Sequence, residues 1–112
     1  MSKTIRVDAT IAISTTTSGE VAVPDGYELV GIHAPVCTGT ALTLTVSPTS
    51  GGTFVVHADK ANTGVTHTIS ATAHYIALDP LLYRGIQFMK LVSGSTELAA
   101  RTFTLVFQKR AA

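Results

Sequence analysis

Ile5-Arg6-Val7-Asp8-Ala9-Thr10-Ile11-Ala12-Ile13 puts an apolar residue at every odd position, with Arg6, Asp8 and Thr10 between them and only Ala12 out of pattern. A period of two held from Ile5 to Ile13 is the mark of a β-strand that buries one face. Working outward, Thr15-Thr16-Thr17-Ser18-Gly19 breaks the alternation with turn formers, and Val21 and Val23 start a short second strand that Pro24-Asp25-Gly26 stops. Tyr27 to Ala34 is more uniformly apolar, which predicts a strand in the interior of its sheet.

Ala41 to Ser47 alternates again, with Leu42, Leu44 and Val46 on one face and a threonine ladder on the other. Ser47-Pro48-Thr49-Ser50-Gly51-Gly52 turns the chain into Thr53 to Ala58, whose expected inner set is Phe54, Val56 and Ala58. Val65, His67 and Ile69 share a face of the next strand, His74 to Leu78 forms another, and Asp79-Pro80 ends it. Leu81 to Gly85 is the only stretch that could be helical, with room for one turn. Ile86 to Ser93 and Arg101 to Gln108 complete the set, the latter burying Phe103, Leu105 and Phe107.

Eight or nine short strands with no covering helix predict an all-β domain, an antiparallel two-sheet β-sandwich spanning residues 1–112. A jelly roll is the first expectation and an immunoglobulin-like sandwich the second. The latter's Cys…Trp…Cys signature is absent, since there is one Cys and no Trp.

With 112 residues the chain has material for one core, and with 46% hydrophobic against 13% charged residues it is not composed as a disordered segment. Eight Lys and Arg against seven Asp and Glu leave +1, with no basic cluster to follow a phosphate backbone, so nucleic acid is not an expected partner. The start, Met1 to Arg6, lacks the apolar run of a secretory signal, and no window reaches the roughly 18 apolar residues that span a bilayer. Assembly in a cytoplasm-like compartment, away from membranes, is the expectation.

No carboxylate pair, Ser-His-Asp set, nucleophile elbow or phosphate-binding glycine loop has workable spacing, so neither an enzyme nor a cofactor is expected. His33, His57, His67 and His74 fall on or beside different strands, without a His-x-His pair or a Cys partner at zinc spacing, and read as partly exposed strand residues. His57 and His67 become neighbours only if the loop between them closes a hairpin. Cys37, in Ala34-Pro35-Val36-Cys37-Thr38-Gly39, reads as a buried small hydrophobe.

Asp79-Pro80-Leu81-Leu82-Tyr83-Arg84-Gly85 reads either as a crossover whose Leu and Tyr plug one end of the sandwich or as a contact loop. Leu81, Leu82, Tyr83 and Arg84, with the terminal pair Lys109 and Arg110, are therefore the candidate partner contacts. Scarce charge and outward threonine suit a surface that packs against neighbours.

Several stretches resemble small structural proteins of tailed-bacteriophage virions: Ser47-Pro48-Thr49-Ser50-Gly51-Gly52-Thr53-Phe54, Tyr75-Ile76-Ala77-Leu78-Asp79-Pro80, Ile86 to Ser95 and Arg101-Thr102-Phe103-Thr104-Leu105. Ala9 to Ser14 and Leu29-Val30-Gly31-Ile32 also fit. The likeness lies in strand and turn residues, not in a reactive motif, and transfers no functional residue. It implies a capsid decoration, or cement, protein on the virion surface: a homotrimer bound to the major capsid protein. A carbohydrate-binding sandwich of a tail fibre and a head completion or tail protein are the alternatives.

Overall fold

The computed structural model describes residues 3–109. Nine strands form: β1 (Thr4–Ile11), β2 (Val21–Ala22), β3 (Tyr27–Ala34), β4 (Ala41–Ser47), β5 (Val55–Val56), β6 (Thr66–Thr68), β7 (His74–Ala77), β8 (Phe88–Ser93) and β9 (Arg101–Lys109). One sheet runs β1-β9-β3-β7 and the other β2-β8-β4-β5, with β6 also on β4. All pairings are antiparallel.

The pairings are nested. β1 pairs with β9, β2 with β8, β3 with β7, and β4 with β5 and β6. Successive pairs fall in alternate sheets, so the chain is a long doubled ribbon rolled up, and β3–β9 and β4–β8 are the seams of the roll. That is the jelly-roll form of the two-sheet sandwich. β3 lies inside its sheet, as its uniform apolarity predicts.

The period-two faces meet as expected along the long strands. Ile11, Leu29, Ile32, Leu42, Leu44, Met89, Leu91, Phe103, Leu105 and Phe107 form the sealed centre. On the outer face of β1 and β9, Thr10 bonds Thr102 at 3.0 Å and the Thr104 hydroxyl donates to Asp8 at 2.9 Å. On β4 the threonine ladder is half-buried.

Four expectations need correction. β1 stops at Ile11, because the chain turns at Ala12–Thr15 and Ser14 takes a positive φ of 67°, leaving Ile13 outside. β8 begins at Phe88, two residues later than expected. Phe54, expected on the inner face, is half-buried, as is Phe88, and Lys90 Nζ lies 4.5 Å from the centre of the Phe54 ring. Finally, the inner set Phe54, Val56 and Ala58 does not form: Val55 and Val56 are both exposed, and His57 is the residue that turns inward. Only two residues of β5 pair with β4, so local alternation does not control which side chain enters.

Candidate contact surfaces

Antiparallel order places the β1–β2, β3–β4, β6–β7 and β8–β9 connections at one end of the sandwich. Three of these loops are stitched together around Glu97, which is fully buried. Its carboxylate accepts from Thr38 N at 2.8 Å, Gly39 N at 2.9 Å, Ser93 Oγ at 2.7 Å and Arg101 Nε at 3.0 Å. Burial alone would raise its pKa; the donors from Thr38, Ser93, Gly39 and Arg101 outweigh that and hold it at about 2.

Its backbone ties in the β1–β2 loop: Ser14 N donates to Glu97 O at 2.9 Å, and Glu97 N to Thr15 O at 3.0 Å. Leu98 N donates to Thr38 Oγ1 at 3.2 Å, and Cys37 N reaches Ser70 O at 2.8 Å. Irregular chain is thereby fixed by bonds within and between the loops, not by strand pairing. From this braced frame three apolar side chains stand out into solvent, Leu98 (75% exposed), Ile13 (59%) and Val36 (47%). Apolar residues held rigidly on exposed loops can be covered by another surface with little further loss of chain entropy.

The anticipated contact segment lies in the β7–β8 connection, which leaves from the opposite end. Asp79 caps a single 3-10 turn (Pro80–Leu82) by accepting from Leu81 N at 3.1 Å. Leu81 (68% exposed) and Leu82 (39%) face out and do not plug the sandwich, whereas Tyr83 is buried and is removed from the contact set. Its ring lies 4.9 Å from that of His57 and 6.1 Å from that of His67, and its hydroxyl is hydrogen-bonded to His67 Nε2.

Burial pushes the Tyr83 hydroxyl up to about 12, which keeps the proton available for donation to His67. His67 is pulled below its ordinary value by burial and, secondarily, by the charge His57 would carry. His57 Nε2 lies 2.6 Å from Leu82 O, so this nitrogen carries the ring proton; Nδ1, buried, has no hydrogen-bond partner among the described residues. The loop between the two histidines closes by an antiparallel bridge of Ala58 with Gly64 and by Val65 N donating to His57 O at 3.0 Å, both rings meet a tyrosine from a distant loop, and His57 is buried rather than partly exposed. His33 and His74 are exposed, His33 against Tyr75 at 4.6 Å.

Arg84 is exposed and ion-paired with Glu28 at 2.9 Å, and Lys109 ends β9 in solvent, while Arg110 lies outside the described residues. Cys37 is buried, as expected, and burial raises its thiol pKa. Among the described residues no group of three or more His, Cys, Asp or Glu is placed to hold a metal ion, and no helix is long and apolar enough to cross a membrane. A shallow cleft of about 260 Å³ lies between the β2–β3 turn and the β7–β8 connection, lined in part by Asp25, Tyr27, Gln87 and Phe88.

Glu97 escapes sequence reasoning. It sits in Gly94-Ser95-Thr96-Glu97-Leu98-Ala99-Ala100, which reads as a polar connector; the only local hint is its spacing of four from Arg101. No family model, curated protein or solved structure matches the chain.

Proposed function

We propose that the protein is a capsid decoration protein of the tailed-bacteriophage kind, which binds the outside of a major capsid shell as a homotrimer and stabilises it. The observation that carries this reading is the braced end, where Ile13, Val36 and Leu98 stand exposed on loops that Glu97 holds in place. The virion resemblance and the low charge of the chain agree with it. Full burial of such a side chain from full exposure contributes about 1.5–3 kcal/mol, of which Ile13, Val36 and Leu98, 47–75% exposed, supply a half to three quarters when covered. A three-fold assembly presents the set three times, so modest contacts combine into tight binding to a lattice of repeated subunits. The shell is stabilised because those contacts must be lost before its subunits separate.

The test is binding of the purified protein to expanded capsids that lack it, followed by cryo-EM. Density repeated over the outer surface, hundreds of copies per particle and a higher rupture temperature are expected. Density confined to the portal or tail, at a ring-sized number of roughly 6 to 12 copies, would assign it to head completion or tail instead. Glycan-array binding through the Asp25–Gln87 cleft with no capsid binding would favour the carbohydrate reading.

A further inference from the structure

We propose that β1 is a pairing edge for a second copy of this chain, joined antiparallel about a two-fold axis through Val7, so that two four-stranded sheets become one of eight strands.

The sandwich ends in strands of very different length. β2 and β5 have two residues each, β6 three and β7 four, whereas β1 has eight. Short edges offer little to a partner strand; long ones are commonly blunted by a proline, a bulge, an inward-pointing charge or charged side chains along the edge. Of these β1 carries only the last, Arg6 and Asp8. It contains no proline, its pairing with β9 is unbroken from Thr4↔Gln108 to Ile11↔Arg101, and its charged residues face outward. The edge is closed only at its far end, where Ser18 bridges to Ile11.

Hydrogen-bond parity then limits the registers. Lys109 N donates to Lys3 O at 3.0 Å, so the odd residues of β1 exchange bonds with β9. The even residues Thr4, Arg6 and Asp8 therefore direct their N–H and C=O to the open side. A symmetric antiparallel partner must place even residues opposite even ones, so the two-fold axis passes either between two even residues facing themselves or through an odd residue.

An axis at Arg6 sets Arg6 against itself and one at Asp8 sets Asp8 against itself, both like-charge pairs on the outer face. An axis at Val7 places Arg6 opposite Asp8 of the second copy and Asp8 opposite Arg6 of the second copy. Opposite charges directly across two strands attract and like charges repel. Asp8 keeps an oxygen for this pairing, since Thr104 is bonded to Oδ1, and Arg6 has no ion pair among the described residues. On the inner face Ile5 and Val7, half-buried at the sheet margin, gain cover from Ala9 and Val7 of the second copy.

This two-fold contact uses a different surface from the apolar end and goes beyond the decoration reading. If that reading holds, β1 links one trimer to the next; if it fails, the edge still pairs copies in solution.

Cysteine cross-linking tests the register. In a non-hydrogen-bonded antiparallel pair the Cα atoms lie about 4.5 Å apart, within the span of a disulfide. Val7→Cys is expected to give, on mild oxidation, a covalent dimer of twice 11.7 kDa on a non-reducing gel. Ile5→Cys, facing Ala9 of the second copy, should not, and buried Cys37 does not interfere. Charge exchange supplies a second measurement. Arg6→Asp or Asp8→Arg alone sets two like-charge pairs across the axis and should weaken self-association roughly tenfold by sedimentation, while the double exchange restores it. Absence of the Val7→Cys dimer in protein with a native circular-dichroism spectrum, equal cross-linking by Ile5→Cys, or failure of the double exchange to restore association would each overturn the proposal.

Discussion

Glu97→Gln is the most informative single change, because it keeps the shape of the buried side chain and removes its charge. The amide has one acceptor oxygen where the carboxylate has two, and its NH2 group must face the N–H of Thr38 or Gly39, both of which donate to the carboxylate. The carboxylate's pKa falls from 4.5 to about 2 on folding, which at 1.36 kcal/mol per unit corresponds to about 3 kcal/mol. Loss of one member of a buried, hydrogen-bonded charge pair is of the same order.

The folded-state pKa is depressed, so this stability is fully present above pH 4.5 and is lost as pH falls toward 2. Urea unfolding at neutral pH should therefore show a deficit of about 3 kcal/mol, and a melting point lower by roughly 10–20 °C. The gap between the two proteins should narrow steadily on acidification through that window. A deficit below about 1 kcal/mol, or a gap that does not change with pH, would refute the reasoning. Ser93→Ala, which withdraws one donor and leaves the charge, should cost about 1 kcal/mol and retain the acid dependence.

Gly39→Ala and Gly31→Ala should differ in cost. A Cβ at Gly39 meets Ser93 Oγ and Glu97 Oε2 inside the braced network, so a loss of about 1–3 kcal/mol in thermal unfolding is expected. At Gly31 it meets the ring of exposed Tyr75, which can swing aside, and the loss should be smaller. Cys37 should resist a thiol reagent in native protein and react on unfolding, since burial both covers it and raises its pKa; rapid native labelling would contradict its placement. His67, whose folded-state pKa is lowered from 6.5, takes up its proton more readily when unfolded, so stability should decline as pH drops below about 6.5. His67→Gln should remove that part of the decline in urea titrations across the same range.

The long alternating segments made most of the fold legible. Tyr27–Ala34 and Ala41–Ser47 form strands with the expected limits, and Phe103, Leu105 and Phe107 are sealed as their spacing requires. Where a strand is long and one face is buried, the period itself selects the face. It fails at Val55–Val56, where two paired residues carry too little local preference, and the Leu82 carbonyl and the Tyr83 ring, 25 or more residues away, draw in His57 instead.

Tyr83 was legible as a plug for the sandwich but not as unfit for contact, because burial of a single aromatic in a turn depends on what folds over it. Glu97 was illegible for the same reason. Its backbone donors come from Thr38 and Gly39, 59 and 58 positions away, and nothing near it in sequence distinguishes a solvated glutamate from a buried one.

The rolled-ribbon order has a consequence for biogenesis. β9 lies between β1 and β3 and brings Phe103, Leu105 and Phe107 to the core, yet it leaves the ribosome after the eight other strands. Until then the earlier strands have no partner at the middle of their sheet, and their apolar faces stay exposed. Native structure must therefore be acquired after this stretch of the chain has been translated, at the slow rate typical of distant strand pairing, and a polypeptide halted ahead of Arg101 is a candidate for chaperone capture or degradation.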